Sequence, residues 1–286
     1  MYPILFEWGP IRIGSYGLLL TIAFSAAIFF TNREFRKSNV DVSLAWDIYL
    51  LAIFGGLLGS RLLYIFENWE GFLLTPRKFL FSATGFSVLG GYLLAIFLCA
   101  IRIRYAKQSF LKIADLCSPG LAVGYAVGRL GCLTAGDGCY GQPTNMFFGM
   151  SFPHGIMPTL SAKNPLLVKY FFARFPGMPL PIDIKVHPTP LYESVSQFIL
   201  LAVLLRSSWQ IGPGKRFALF LGWFGFSRFF VEFLRLNPIS LWGLTSDQIF
   251  SIAVILIGCL VAFIPSSRNC TMPEKDIEPS DLPTNP

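Results

Sequence analysis

Long apolar stretches separated by short polar segments run from about residue 13 to residue 266. A helix that crosses a bilayer needs about 20 mainly apolar residues, and seven stretches reach that length. They cover residues 13–31, 45–66, 79–101, 113–133, 191–208, 216–234 and 246–266. The pattern therefore predicts an all-α polytopic membrane protein with seven transmembrane helices.

Two segments depart from this pattern. Residues 134–190 are rich in Pro, Gly and Asn, so we expect a large head or loop inserted into a membrane domain that covers residues 1–266. Residues 267–286 hold few apolar side chains, which is typical of a disordered tail. The fourth predicted helix contains Pro119 and several glycines, and because glycine lets helices approach closely, we expect this helix inside the bundle.

Composition supports the membrane assignment. Hydrophobic residues make up 53% and charged residues 14% of the 286 residues, against about 25% charged in a soluble domain. These proportions exclude a disordered chain, a secreted disulfide scaffold and an ordinary cytosolic enzyme. The net charge is +7, but the basic residues are scattered between apolar stretches. We therefore expect membrane lipids, and no nucleic acid, as partners.

The distribution of Lys and Arg predicts the orientation, because cytoplasmic loops carry an excess of these residues. The loops after the first, third and fifth predicted helices, together with the tail, hold 12 of the 23. The opposite side holds eight, four of them in the long loop, where charge is less informative. We expect the N-terminus and the head outside and the C-terminus inside.

The three remaining arginines, Arg61, Arg129 and Arg228, lie inside predicted helices, where ionisable groups are costly and usually functional or paired. In the predicted orientation they lie about 6 to 9 Å inside the outer ends of these helices, at 1.5 Å per residue. A phospholipid phosphate lies at that depth, and guanidinium binds phosphate bidentately. We expect a shared anionic ligand. The alternative is that each arginine reaches the interface or pairs with a carboxylate, as Arg228 would with Glu232, which precedes Arg235 on the same predicted helix face.

Two polar motifs lie at the same predicted membrane face. The fourth helix runs into GRLGCLTAGDGCYG (residues 128–141), whose glycines permit tight turns and let backbone N–H groups approach an anion. The motif HPTPLYE (residues 187–193) places a histidine, a tyrosine and a carboxylate at the entrance to the fifth helix. His187 is a candidate proton acceptor, with helix capping as the alternative.

The six cysteines form no CxxC pair and have no neighbouring histidine, so their spacing gives little support to a metal site or a disulfide framework. A local disulfide between Cys132 and Cys139 is left as an alternative.

Three motifs, GRLG (128–131), HPTPLYE (187–193) and RFFVEFLR (228–235), occur in the same order as in the prolipoprotein diacylglyceryl transferase family. SYG (15–17) and GSR (59–61) extend the similarity over about residues 10–265. The chain resembles this family, whose members are seven-span plasma-membrane enzymes with an outward head region.

The resemblance implies the first step of lipoprotein maturation in the bacterial plasma (inner) membrane. The diacylglyceryl group of phosphatidylglycerol passes to the lipobox cysteine thiol of a prolipoprotein, and glycerol phosphate is released. Phosphatidylglycerol and prolipoprotein signal peptides are the implied partners, and no metal and no cofactor are implied. In the family's motifs, Arg129 and Arg228 would hold the phosphate, Glu232 would orient Arg228, and Tyr16 would contact the lipid or its headgroup.

The expected site divides into catalytic and lipid-binding residues. The expected catalytic residues are Arg129, Arg228, Asp137, Glu232 and His187. The expected phosphatidylglycerol-binding residues are Arg129, Tyr16, Arg61, Gly131, Gly141 and Arg235.

The chain departs from the family's pattern at two places. Where the family commonly reads GRxGNFxNxExxG, Cys132 and Ala135 replace the asparagines, and Asp137 is the acid nearest to the family's glutamate. Where the family usually has a histidine before paired glycines, this chain has Leu89. If that histidine is the base for the thiol, His187, Asp137 or Glu232 must replace it. The alternative is a non-catalytic phospholipid-binding membrane paralogue.

Overall fold

The computed structural model describes residues 3–9, 11–81, 85–206 and 212–264. An antiparallel hairpin comes first, formed by β1 (Ile4–Trp8) and β2 (Ile11–Gly14). The helices are α1 (Ser15–Lys37), α2 (Val42–Glu67), α3 (Trp69–Leu74), α4 (Pro76–Phe81), α5 (Val88–Tyr105), α6 (Phe110–Ala135), α7 (Pro165–Arg174), α8 (Thr189–Arg206), α9 (Lys215–Glu232) and α10 (Ser246–Phe263). A second hairpin, β3 (Ile239–Leu241) with β4 (Leu244–Thr245), precedes α10.

Each predicted transmembrane segment overlaps a described helix of at least 18 residues. Five of these helices, α1, α2, α5, α6 and α10, are long and apolar enough to cross a membrane. Helices α8 and α9 are also 18 residues long, and α9 carries four charged side chains. The protein is thus a mostly helical, polytopic membrane protein. The tail predicted at residues 267–286 lies outside the described residues.

The predicted start of the third transmembrane helix, at residue 79, was wrong. Residues 76–81 belong to the separate short helix α4, and α5 begins only at Val88. Gly85 has a φ of +85°, a left-handed conformation that interrupts a helix. The sequence between residues 82 and 88 reads SATGFSV, and the predicted helix included these polar residues because the segments on both sides are apolar.

Glycine contacts join the helices closely. A Cβ atom on Gly59 of α2 would lie 2.3 Å from the carbonyl oxygen of Gly90 in α5, and one on Gly90 would lie 2.4 Å from that of Gly59. Small residues allow this close packing of membrane helices. The prediction that α6 lies inside the bundle is confirmed, since 61% of its apolar window is buried and it contacts α1, α8 and α9.

Polar contacts gather at the two ends of this bundle. At one end, Glu34 near the end of α1 pairs with Arg216 at the start of α9 at 2.8 Å. Asp115 near the start of α6 accepts hydrogen bonds there from the backbone N–H groups of Gly214 and Phe217. At the opposite end, the C-terminal ends of α6 and α9 meet the N-terminal ends of α8 and α10. The candidate site lies at that second end.

Residues 136–188, between α6 and α8, lie at the second end and pack around an apolar cluster that also includes Leu133 of α6. Tyr140, Phe152, Phe171, Ile184 and Val186 belong to one buried cluster. Isolated backbone bridges and the short helix α7 complete the segment. The segment predicted as a large loop therefore contains a short helix and buried apolar side chains.

Candidate active site

Two of the three arginines inside predicted helices meet at one carboxylate. Nε of Arg129 in α6 lies 2.8 Å from Oε2 of Glu193 in α8. Nη1 of Arg228 in α9 lies 2.5 Å from Oε1 of the same side chain. Glu193 is only 2% exposed, so the two ion pairs are shielded from water and join three helices.

Tyr125 completes the surroundings of Arg129. Its hydroxyl accepts hydrogen bonds from Nε and Nη2 of Arg129 at 2.9 and 2.8 Å, and it donates one to Glu193 at 3.3 Å. Tyr125 precedes Arg129 by one helical turn, so the two side chains share a face of α6. These contacts use Nε and Nη2 of the guanidinium, and among the described residues its Nη1 makes no hydrogen bond.

Arg228 faces further carboxylates. Its Nη2 lies 2.5 Å from Oδ2 of Asp247 and 3.8 Å from Oε2 of Glu232. Oε1 of Glu232 accepts hydrogen bonds from Asn237 at 2.5 Å and from Thr245 at 3.0 Å. Thr245 also caps the N-terminus of α10, so the same residue positions Asp247 in the first turn of that helix.

Arg235 joins the cluster from beyond the end of α9. The prediction that it shares a helix face with Arg228 was wrong, because α9 ends at Glu232 and the chain turns there. Nε of Arg235 lies 3.8 Å from Oε2 of Glu232, and its backbone forms a bridge with Gly141. Among the described residues, Oε2 of Glu232 makes no hydrogen bond, so it faces two guanidinium groups at 3.8 Å.

Six charged side chains thus form one cluster. The members are Arg129, Arg228, Arg235, Glu193, Glu232 and Asp247. With every group ionised, the three cations balance the three anions. The cluster therefore has no surplus of positive charge, and an anionic ligand there would have to be bound by guanidinium N–H groups that the carboxylates leave unused.

Arg61, the third arginine, contacts the segment that leads into α5. Its Nη1 donates a hydrogen bond to the carbonyl oxygen of Gly85 at 3.0 Å, and its guanidinium carbon lies 4.2 Å from the centroid of the Phe86 ring. Leu89 follows three residues later, and its side chain is 52% exposed. Arg61 therefore anchors the backbone just before the position where the family usually has a histidine.

His187 lies beside the start of α8. Its Nδ1 is 3.2 Å from the hydroxyl of Tyr192, and its backbone oxygen accepts a hydrogen bond from the N–H of Gly141 at 2.8 Å. Burial lowers the pKa of His187 below its usual value, and the charge of Arg174 acts in the same direction. The imidazole is therefore neutral near pH 7. Within the described ranges, it makes no hydrogen bond to the six-residue charged cluster.

A second polar group lies at the C-terminal end of α6. The carboxylate of Asp137 and the Sγ atoms of Cys132 and Cys139 lie within 4.8 Å of one another. Both cysteines are free thiols, so the structure does not contain the disulfide left as an alternative. Beside them, the ring of Tyr16 lies 3.2 Å from the point where Gly131 would carry a Cβ atom.

Several residues of the site were not predicted from the sequence. Tyr125 and Asp247 were not singled out, and Glu193 was noted only as a carboxylate of the HPTPLYE motif. An acid in the first turn of an otherwise apolar predicted helix is the signal that could have identified Asp247. Tyr125 is four residues before Arg129, a spacing that places it on the same helix face.

An apolar groove of about 490 Å³ lies between α2, α5 and α6. Its lining runs from Val88 and Tyr92 to Ile103, about 22 Å along α5 at 1.5 Å per residue. The ring of Tyr92 stacks on Phe250 of α10 with the centroids 5.9 Å apart. Phe250 is three residues from Asp247, so one end of the groove lies beside the charged cluster.

The sequence is similar to a family of known transferases. A sequence model described as prolipoprotein diacylglyceryl transferase matches residues 3–264. A phosphatidylglycerol–prolipoprotein diacylglyceryl transferase of Clostridium tetani is 30% identical over 272 residues, which is 94% of this chain and 99% of the relative. Phosphatidylglycerol–prolipoprotein diacylglyceryl transferase 2 of Clostridium perfringens is 28% identical, over 91% of this chain and 93% of the relative. A protein of the same name from Lysinibacillus sphaericus is 29% identical, over 90% of this chain and 89% of the relative. The chain belongs to the prolipoprotein diacylglyceryl transferase family.

Proposed function

We propose that this protein transfers the diacylglyceryl group of phosphatidylglycerol to the lipobox cysteine thiol of prolipoproteins, the first step of lipoprotein maturation. The observation that carries the proposal is the meeting of Arg129 and Arg228 on Glu193, beside an apolar groove, in a chain of this family. The relatives named above carry both substrates in their names.

The proposed topology has seven helices crossing the bacterial inner membrane, with the N-terminus and residues 134–190 outside and the C-terminus inside. Basic residues in the last turns of α1 and α5 support this orientation. They lie at the end of the bundle that holds the pair of Glu34 and Arg216, opposite the charged cluster. The head lies at the outer membrane face, next to the cluster.

The groove would hold an acyl chain and the charged cluster would hold the headgroup phosphate. The groove has the volume of an ordinary ligand pocket, roughly 300 to 1,000 Å³, and its lining is almost wholly apolar. Nη1 of Arg129 is the donor best placed for a phosphate oxygen, since its other nitrogens are occupied. Tyr16, Gly131, Gly141, Arg61 and Arg235 are proposed to line the headgroup side.

In the proposed reaction, the thiolate sulfur attacks a glyceryl carbon and forms the S–C bond. The bond between that carbon and the ester oxygen of the phosphate breaks. Glycerol phosphate leaves with one more negative charge than the phosphate carried in the lipid. Arg129 and Arg228 would stabilise that developing charge, because donors held in place before the reaction need no reorganisation. Glu193 and Asp247 fix the two guanidinium groups for this role.

The candidate bases differ in their surroundings. Glu232 already accepts two hydrogen bonds and faces two arginines, which suits a positioning residue better than a proton acceptor. His187 is neutral near pH 7 because burial lowers its pKa, and Asp137 is half-buried beside two thiols. These two remain the proposed candidates for removing the thiol proton.

The test is mass spectrometry of a synthetic lipobox peptide after incubation with the purified protein in phosphatidylglycerol vesicles. Wild-type protein should add a diacylglyceryl mass to the cysteine, and Arg129→Ala and Arg228→Ala should abolish this. Arg77→Ala is the matched control, because Arg77 is exposed in α4, on the side proposed to face outward. Full activity in Arg129→Ala would disprove the phosphate-binding role.

Leu89 favours a second candidate function, a phospholipid-binding paralogue without transferase activity. The side chain at this position cannot accept a proton, and it stands where the family usually has a histidine. No mass shift on the peptide, with retained binding of phosphatidylglycerol that Arg129→Ala weakens, would support this second function over the first.

A further inference from the structure

A tight turn of the head, residues 144–149, presents apolar side chains at its surface. The turn reads TNMFFG, and the side chains of Met146, Phe147 and Phe148 are all exposed, that of Phe147 to 95%. The chain carries no Asp, Glu, Lys or Arg between Asp137 and Lys163. Contiguous exposed apolar side chains are typical of a surface that binds a partner, because burying them removes apolar area from water.

Hydrogen bonds hold this turn in a defined conformation. The hydroxyl oxygen of Thr144 accepts a hydrogen bond from the N–H of Met146 at 3.2 Å. The N–H of Gly149 donates one to the carbonyl oxygen of Met146 at 2.9 Å. Directly after the turn, Met150 forms a backbone bridge with the buried Val186. The exposed side chains therefore project from a fixed base.

The turn lies against the start of α8. The rings of Phe148 and Tyr192 meet edge to face with their centroids 6.2 Å apart, and Tyr192 is in the first turn of α8. Three exposed apolar residues follow on the same helix face, at three, seven and eleven residues from this tyrosine: Val195, Ile199 and Val203. In the proposed topology, this face of α8 contacts lipid. The turn therefore continues the lipid-facing surface of α8 beyond the start of the helix.

We propose that residues 144–149 dock on the surface of the lipid bilayer, with Phe147 inserted among the lipid headgroups and Lys185 contacting lipid phosphate. The partner is the leaflet that surrounds the start of α8, so the inference rests on the proposed crossing of the membrane by this helix. Segments that bind at the bilayer surface place Phe, Trp and Leu side chains at the boundary between headgroups and acyl chains. Tyrosine is enriched at the same depth in spanning helices, as Tyr192 would be here.

Lys185 provides an exposed cation beside the turn. Its carbonyl oxygen accepts a hydrogen bond from the N–H of Thr144 at 2.9 Å, and its Cβ lies 3.5 Å from the point where Gly149 would carry a Cβ atom. A lysine near a membrane surface is attracted to anionic lipid headgroups. The apolar segment of a signal peptide carries no charge to complement this cation. An uncharged apolar turn beside a lysine therefore fits a bilayer better than it fits a signal peptide.

Fluorine NMR of the full-length protein in phosphatidylglycerol vesicles tests the docking. Trifluoromethylphenylalanine in place of Phe147 reports on the turn. The same probe in place of Phe198, which is exposed in the middle of α8, reports on the lipid-facing surface. A lipid with a spin label near the top of its acyl chain should broaden both signals. A water-soluble gadolinium chelate should broaden neither signal strongly, because both side chains are expected in lipid.

The two probe positions separate failure of the docking from failure of the topology. Broadening at Phe147 by gadolinium but not by the lipid label, with lipid broadening at Phe198 intact, would overturn the docking and leave the crossing of α8 standing. No lipid broadening at Phe198 would overturn that crossing and the docking with it. Protection of Phe147 from gadolinium only after addition of a lipobox peptide would overturn the bilayer as partner and assign the turn to the peptide.

Reversal of one charge tests the role of Lys185. Lys185→Glu should reduce the broadening of the Phe147 signal by the lipid label, because anionic headgroups repel a carboxylate. Lys169→Glu is the matched control, since Lys169 is exposed on α7 of the same head and undergoes the same change of charge. Equal broadening in the two variants would overturn the contact with lipid phosphate. These measurements do not depend on transferase activity, so the docking and the proposed reaction can fail separately.

Discussion

Replacing Glu193 by Gln removes the one carboxylate that both Arg129 and Arg228 contact. The substitution keeps the size of the side chain but leaves three arginines against two carboxylates in the cluster. The amide NH₂ group of the new side chain would also face the N–H donors of the two arginines, where a hydrogen-bond acceptor is needed. Arg129 loses its only carboxylate partner in the described chain, whereas Arg228 keeps Asp247 at 2.5 Å.

The size of the effect follows from burial. Glu193 is 2% exposed, and the side chains of Arg129 and Arg228 are 14% and 11% exposed. Removing one partner of a buried ion pair costs about 3–5 kcal/mol. We expect a loss of about 3 kcal/mol in the free energy of unfolding, at the lower end of that range, because Arg228 retains a carboxylate partner.

The measurement is reversible unfolding in mixed detergent and SDS micelles, followed by circular dichroism. Glu70→Gln is the control, since Glu70 is exposed in the short helix α3. Combining Glu193→Gln with Arg129→Gln should cost less than the sum of the single changes by at least about 1 kcal/mol, as expected for coupled groups. Strict additivity, or a Glu193→Gln variant as stable as Glu70→Gln, would refute the argument from burial.

Three other predictions follow from single contacts. Arg129→Lys should retain only part of the transfer rate in the peptide assay, because a single ammonium lacks the planar fork of N–H donors; a rate equal to wild type would contradict this. Gly59→Ala should lower the free energy of unfolding by about 1–3 kcal/mol through overpacking, whereas Gly56→Ala should be neutral, because a Cβ atom there meets nothing within 4 Å. Equal stability of the two glycine variants would disprove the proposed close crossing. If His187 is the base, the rate should rise with pH through a midpoint below 6.5, because the neutral form is active and burial lowers its pKa; His187→Gln should then lose that dependence, and an unchanged profile would exclude His187.

Hydropathy predicted most of the helices because a bilayer imposes a minimum apolar length on each spanning segment. It placed the start of the third helix at residue 79, whereas α5 begins at Val88, after the left-handed Gly85. The predicted end of the sixth helix, residue 234, lies within two residues of the end of α9 at Glu232. The error at residue 79 concerns local backbone conformation, which apolar composition does not determine.

The site was predictable in part. Arg129 and Arg228 were conspicuous because charge inside an apolar segment is rare. The role of Glu193 as their common partner depends on how α8 is rotated about its axis within the bundle. The short motif HPTPLYE (residues 187–193) shows no periodicity that would determine this rotation. The spacing of Cys132 and Cys139 already allowed the two to lie close together, but their grouping with Asp137 depends on two left-handed glycines and could not be inferred from spacing.

Ion pairs with the carboxylates change how the three arginines can bind a phosphate ester. Three arginines without partners would attract any anion, and would therefore already bind the intact lipid tightly before the reaction. In the neutral cluster, each guanidinium is already held by a carboxylate and has few N–H donors left, such as Nη1 of Arg129. If the cluster holds the phosphate as proposed, these donors would stabilise the leaving phosphate most once it has acquired its additional charge, because fixed donors respond to charge without reorganising. In the proposed reaction, the buried acids would therefore favour stabilisation of the leaving group over tight binding of the substrate.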